Sequence, residues 1–435
     1  MWSDPIKPVP LRKASSCDFF CLRPWQTGSM SEAQPNRRLL HNLRGVLTPD
    51  PKGTWAVDRI PDAALAVENG RVAWLGPAAD LPAAWSEAPR IDGRGAWATP
   101  GFVDPHTHLL FGGNRSGEFN RRLHGASYQQ VAAEGGGIRE TVRATRLAPV
   151  AELVATGEAR LRAFRERGVV HLECKTGYGL ELEAESRLTA AYAELKRRGW
   201  SLDVTLLPAH DLAPEFNGDV EANARAVAEA WLPELVRRHP GVARFCDVFV
   251  ETGVFSADQG RRIFEAGKRL GLVPRVHADE LTWTGGAELA AELGASSADH
   301  LMFCSEAGMK AMAAADVTPV LLPGTTLFLG MRDWAPARKM IEAGCRVALA
   351  TDFNPGSCPC LDPLTILRLG CLQLRMTFEE AFTAMTLHAA RSLRHADLGH
   401  LHPGARAEVL LWDVEEMLEL IYWVGEPFRP RLLTA

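Results

Sequence analysis

The stretch PGFVDPHTHLLFGGNR, Pro100 to Arg115, sets His106 and His108 one residue apart behind a short apolar run. Side chains two apart on an extended strand share a face, so both imidazoles can reach a single ion. His-x-His alone also arises by chance on surface strands, and the reading needs further donors. They stand near the carboxyl ends of other apolar runs: Glu173 with Lys175, His210, His277 with Glu280, His300, and Asp352 with Asn354. His106, His108, His277 and Asp352 would supply three neutral nitrogens and one anionic oxygen, leaving a position for a water whose pKa the ion would lower. Glu280, three residues beyond His277, is placed to take a proton from that water and deliver it to a leaving nitrogen. His300 is either a further ligand or a hydrogen-bonding group beside the water or the developing oxyanion. Glu173 and Lys175 leave two readings open, a carboxylated lysine bridging two ions or a salt bridge at the wall of the site. The expectation is one zinc or iron ion. The remaining histidines, His124, His171, His239, His388, His395, His400 and His402 among them, read as structural.

Such donors must be presented by a scaffold. After Pro100 short apolar runs alternate with Ala/Leu/Glu/Arg-rich helical stretches, and the runs are GFVDPHTH, GVVHLECKTG, SLDVTLLPAH, RFCDVFVET, GLVPRVHADE, SSADHL, TPVLLPG and RVALATDFNPG. These units predict a (β/α)8 TIM-like barrel over 98–397, with the active site at the carboxyl ends of its strands. An open doubly wound sheet is the competing arrangement, and no strand is followed by Gly-x-Gly-x-x-Gly. The alternating texture of 38–97, with a hairpin expected at Asn69-Gly70, returns in 398–435, which predicts a small composite β-sandwich domain built from both chain ends. Residues 1–37, rich in Pro, Ser and charge, read as a disordered leader, with Met30 as an alternative start.

The chain of 435 residues carries 23% charged residues and a formal net charge of -5, no footprint for nucleic acid or an anionic membrane. No apolar stretch approaches the roughly 20 residues of a membrane helix, and a cytoplasmic protein is expected. Nine cysteines, an odd and scattered set, do not form a disulfide framework. The close pairs Cys17/Cys21 and Cys358/Cys360 lack a second pair at zinc-finger spacing.

The motifs PGFVDPHTHLLFGGNR, AAEGGGI, ECKTGYGL, VHADEL, SADHL, VLLPGT and ATDFNPGS together resemble the amidohydrolase superfamily and, more narrowly, the imidazolonepropionase family. The likeness runs from about Leu39 to the C-terminus. His-x-His with a late Asp identifies the superfamily, while GGNR, KTGYGL and TDFNPGS narrow it to the family. The resemblance implies that His106, His108, His277 and Asp352 hold the metal and that His300 assists near it. Arg115, Tyr178, His210, Glu280, Asn354, Gly356 and Ser357 would contact the substrate. It implies hydrolysis of a cyclic amide in histidine degradation, with a small-molecule substrate bearing a carboxylate that an arginine fork suits. Gly356 and Ser357 would form an anion-binding loop, and Cys358 and Cys360 just after it depart from the small or polar residues expected there. A homodimer stays open. A deaminase acting on a purine, pyrimidine or related ring is the alternative, and a neutral base would not need Arg115.

Overall fold

The computed structural model describes residues 36–126, 130 and 136–433. The expected leader, Met30 and the pair Cys17/Cys21 lie outside these residues, as does most of the AAEGGGI motif. Strand β1 (Arg37–Pro49) is long enough to serve several neighbours. Its second half pairs antiparallel with β2 (Val57–Pro61) and its first half with β3 (Ala63–Glu68). β3 turns into β4 (Arg71–Pro77) through Asn69 and Gly70, both at positive φ (51° and 76°), the backbone that a tight hairpin of matching twist requires. β5 (Arg90–Pro100) lies parallel to β1 along its other edge.

β6 (Phe102–Thr107) follows directly and opens the second sheet. It continues through β7 (Val169–Lys175), β8 (Leu202–Ala209), β9 (Ala243–Val250), β10 (Val273–Ala278), β11 (Ser297–His300), β12 (Thr318–Leu321) and β13 (Ala348–Leu349), eight strands in sequence order. All register-matched neighbours in this sheet are parallel. Every residue of β7 and β8 is buried, as expected of strands covered on one face by helices and on the other by the barrel interior. The eight runs picked out by composition are these eight strands.

The last strand meets the first through backbone. Asp352 N–H donates to His106 O at 3.0 Å, and His108 N–H donates to Phe353 O at 2.9 Å. Asp104, buried on β6, accepts from Thr351 N–H at 3.2 Å and from Thr351 Oγ1 at 2.6 Å. Burial pushes the Asp104 carboxyl up to about 7.

β14 (Val409–Trp412) pairs antiparallel with β5, and β15 (Arg431–Leu433) with β14. The small domain therefore draws on both chain ends, and its strands join through β1 and β5 into one connected sheet. Alternation along β14 divides its labour. Val409 and Leu411 pack into the small core with Leu40, Leu65 and Ala98, while Leu410 and Trp412 belong to the barrel core. Trp412 is 2% exposed, donates from Nε1 to Thr99 Oγ1 at 3.0 Å and stands 6.0 Å from the Phe102 ring. No helix among the described residues is long and apolar enough to cross a membrane.

Trp412 thus ties the two sheets together. Trp412→Ala is expected to cost about 3–5 kcal/mol, as for other buried aromatics cut to alanine. A urea titration followed by circular dichroism should show the midpoint falling; an unchanged midpoint would refute the assignment of Trp412 as the joint.

Candidate functional site

The carboxyl ends of the barrel strands gather nearly all the residues singled out by spacing. His108, Arg115, Tyr178, His210, His277, Glu280, His300, Asp352, Asn354 and Ser357 line one cavity. His106 lies beneath it, its ring centroid 4.6 Å from that of His277. His108 and His210 stack at 4.7 Å and 13°. Three overlapping groups, His106/His277/His300, His108/His210/His277 and His106/His108/Asp352, each keep their ligand atoms within 4.8 Å of one another. His106, His108 and His277 recur among them.

Acids behind two of the rings, His106 and His277, set which of their nitrogens faces the centre. His106 Nδ1 is 2.7 Å from Asp299 Oδ2, which makes Nδ1–H the donor and turns Nε2 towards Asp352 Oδ1 at 3.5 Å. His277 Nδ1 is 2.9 Å from Asp247 Oδ2, and the backbone N–H of His277 donates to Asp247 Oδ1 at 3.1 Å. His108 Nε2 is 3.6 Å from the same Asp352 oxygen. The Nε2 atoms of His106 and His277 are buried with no hydrogen-bond partner among the described residues. An unmet buried polar atom costs about 1–3 kcal/mol, which a metal ion would remove.

The electrostatics point the same way. Burial holds His106, His108 and His300 well below the usual histidine range and His210 down to about 3, so these rings are neutral, as ligands must be. Burial lifts Asp352 to about 6, and burial with the charges of Asp352 and Glu251 lifts Glu280 to about 8. Carboxyls held this high lack a countercharge. The donor set fits a divalent cation of the zinc or iron class.

Backbone geometry is unusual at the same place. His300 (φ 77°) and Asp352 (φ 52°) both occupy the left-handed region, a conformation that costs a non-glycine residue about 1–3 kcal/mol and collects at functional sites. Glu280 Oε2 lies 3.6 Å from His300 Nε2 at the cavity wall.

Two expected substrate contacts take a different form. Asn354 Oδ1 accepts from the backbone N–H groups of Gly356 and Ser357 at 2.8 and 2.7 Å. The amides expected to receive an anion are therefore spent on the turn that follows Asp352. Arg115 is buried, and its Nε and Nη2 donate to Glu118 at 2.9 and 2.6 Å. A Cβ on residue 356 would stand 1.8 Å from Arg115 Nη1, so only glycine leaves room for the guanidinium. Cys358 and Cys360 also line the cavity.

Of the two readings left open for Lys175, its contacts describe the ion pair. Its Nζ is 3.0 Å from Glu173 Oε1 and 2.8 Å from Asp247 Oδ2, a buried ion-pair network beneath the site. Sequence reasoning missed Asp247, Asp299 and Arg275 in that network, and Glu118 beside Arg115. The available signal was an acid in the middle of an apolar strand, CDVFV and SADH, where an unpaired carboxylate would not be tolerated.

A fourth group, His171, Asp203 and His395, also clusters at metal-ligand spacing. It lies at the amino ends of β7 and β8, away from the cavity. Arg244 Nη1 stands 3.2 Å from Asp203 Oδ2 and 3.1 Å from His395 Nε2, a fixed cation where an ion would sit.

The chain matches the profile described as "Amidohydrolase family" over residues 255–429 and that described as "Imidazolonepropionase-like composite domain, bacteria" over residues 63–85. It is 49% identical over 360 residues to the imidazolonepropionase of Anaeromyxobacter dehalogenans (strain 2CP-1), covering 81% of this chain and 84% of that protein. It is 45% identical over 394 residues to the imidazolonepropionase of Myxococcus xanthus, covering 89% and 93%. Among solved structures it is similar to a zinc-bound adenosine deaminase from Xanthomonas campestris, with a TM-score of 0.65, 18% identity and 91% of each chain covered. At that identity the likeness is one of fold.

The geometry separates the two ends of the barrel. His277→Ala should abolish tight uptake of added zinc, and His171→Ala should leave it unchanged, as measured by elemental analysis after dialysis. Equal loss in both variants would relocate the metal centre.

Proposed function

The chain belongs to the imidazolonepropionase family of amidohydrolases, and we propose that it hydrolyses 4-imidazolone-5-propanoate to N-formimidoyl-L-glutamate. One observation carries the proposal: a cavity lined at once by side chains fit to hold a metal, a half-buried carboxyl at Glu280 and a buried arginine at Arg115. His106, His108, His277 and Asp352 would hold one zinc or iron ion per chain. When bound, the ion supplies Lewis acidity to water and to the ring carbonyl.

The side chains do the rest. Glu280 takes a proton from the attacking water and returns it to the ring nitrogen as the carbon–nitrogen bond breaks, so the nitrogen leaves as part of the formimidoyl group, the carbonyl carbon stays in place as the new carboxylate, and the second water proton passes to solvent. His300, 3.6 Å from Glu280, is placed to hydrogen-bond the oxyanion that develops in between. Tyr178 and His210 flank the ring; Tyr178 stands 5.5 Å and His210 4.7 Å from the His108 ring. Arg115, held side-on by Glu118, takes the propionate with its Nη1 edge above Gly356. Asn354 and its turn, with Gly356 and Ser357, shape the floor under that arginine. The deaminase reading rests on a shared fold, whereas a carboxylate-bearing ring gives Arg115 a purpose.

Purified protein mixed with 4-imidazolone-5-propanoate should remove the ultraviolet absorbance of the ring, and a metal-loaded enzyme without effect on it would overturn the proposal. Glu280→Gln should keep metal and substrate binding while turnover falls about 10²- to 10⁴-fold, the usual contribution of a general acid–base group. A variant with half the wild-type rate would move the proton shuttle to another residue.

Arg115→Leu should lower kcat/KM at least about tenfold, the loss of one charge-assisted contact. The wild type should discriminate strongly against an analogue whose propionate is a neutral amide, and the variant hardly at all. Equal discrimination by both would show that Arg115 does not read the carboxylate.

A further inference from the structure

We propose that Lys175 positions two of the metal-holding imidazoles at once, His106 through Asp299 and His277 through Asp247. The inference rests on the metal assignment above and adds a residue that never touches the ion. Lys175, Glu173, Asp247, Asp299 and Arg275 are all fully buried. Lys175 Nζ lies 3.0 Å from Glu173 Oε1, 2.8 Å from Asp247 Oδ2 and 3.5 Å from Asp299 Oδ2. An ammonium has three N–H donors, and here three carboxylates surround it.

The oxygens it meets are the ones the imidazoles use. Asp247 Oδ2 is also the atom 2.9 Å from His277 Nδ1, and Asp299 Oδ2 is also the atom 2.7 Å from His106 Nδ1. Asp247 is thus hydrogen-bonded to the ammonium and set against the His277 ring, while Asp299 is bonded to the His106 ring and lies within ion-pair range of the ammonium. Such support matters because a ring can bind a metal through Nε2 only while its proton stays on Nδ1.

Arg275 supports only the Asp299 arm. Its Nη1 donates to Ser392 O at 3.0 Å and its Nη2 to Pro105 O at 2.7 Å and, more weakly, to Asp299 Oδ2 at 3.5 Å. It is anchored to backbone and has no contact with Asp247 among those described. Two basic and three acidic side chains thus share the fully buried space directly behind the imidazoles. Without the ammonium, Asp247 and Asp299 would repel each other and lose the restraint that holds both rings to the metal-binding tautomer. A carboxylated Lys175 would instead place a fourth anion among three fully buried carboxyl groups.

The test uses full-length protein stripped of metal and titrated with cobalt(II) against a chelator of known affinity, reading both affinity and the visible spectrum of the bound ion. Lys175→Met is expected to bind cobalt about 10- to 100-fold more weakly, the usual effect of removing support behind a metal-ligating histidine, with an altered spectrum. Lys175→Arg, which keeps the charge, should recover part of the affinity. A folded Lys175→Met with wild-type affinity and spectrum overturns the inference, even if its thermal midpoint falls, since a merely structural lysine would behave that way. Should Lys175→Met fail to fold, Asp247→Asn and Asp299→Asn each remove one arm. Weaker cobalt binding in both supports the inference, and wild-type binding in either overturns it. A wild type that takes up no cobalt would overturn the metal assignment itself, and the inference with it.

Discussion

A histidine can serve a metal only if something holds the proton on its other nitrogen, and in this protein that requirement organises the interior of the barrel. Asp299 and Asp247 stand behind His106 and His277, and both acids are fully buried. Burying a carboxylate is expensive unless it is paired. Burial pushes Asp247 up, and the neighbouring His277 ring and the Lys175 ammonium outweigh it and hold the group well below the usual carboxylate range. The cations in the barrel floor are therefore part of the site as much as the groups that line the cavity. They also explain why β7, so apolar elsewhere, carries Glu173 and Lys175 on one face.

The small sheet stands in a similar relation to the barrel. β5 runs into β6 with one residue between, so the strand that ends the first sheet delivers the first pair of histidines. β14 returns from the far end of the chain to flank β5, and its alternate residues fill two cores. Two distant segments thus brace the entry to the metal strand.

Much of this was legible in the sequence, and the reasons differ by residue. The eight strands announce themselves because strands buried on both faces read as largely apolar runs, broken only where a polar side chain finds a partner. His106 and His108 were legible because a period of two on a strand is a statement about direction. Asp247 and Asp299 were not, since whether a lone acid faces the barrel axis or a helix depends on register between strands. Glu118 was hidden for another reason: on the loop and helix after β6 its closeness to Arg115 reads as an ordinary surface pair, and only burial shows its part in aiming the guanidinium. The turn at Asn354 was misjudged in a similar way. The family resemblance suggested amides offered to an anion, whereas the Asn354 side chain already takes them.

The seam of the barrel has a consequence for how the protein comes into being. His106 and Asp352 are joined across β6 and the end of β13, and Asp104 is tied to Thr351, 247 positions away. Closing so long a loop costs entropy before any contact repays it, which makes this pairing a late event. While the chain emerges from the ribosome, the two histidines exist for most of synthesis without their carboxylate. A nascent chain is thereby an incomplete chelator. With the proposed ligands, metal loading would follow topology, and a chain cut short of its last barrel strand would lack the carboxylate that completes the set.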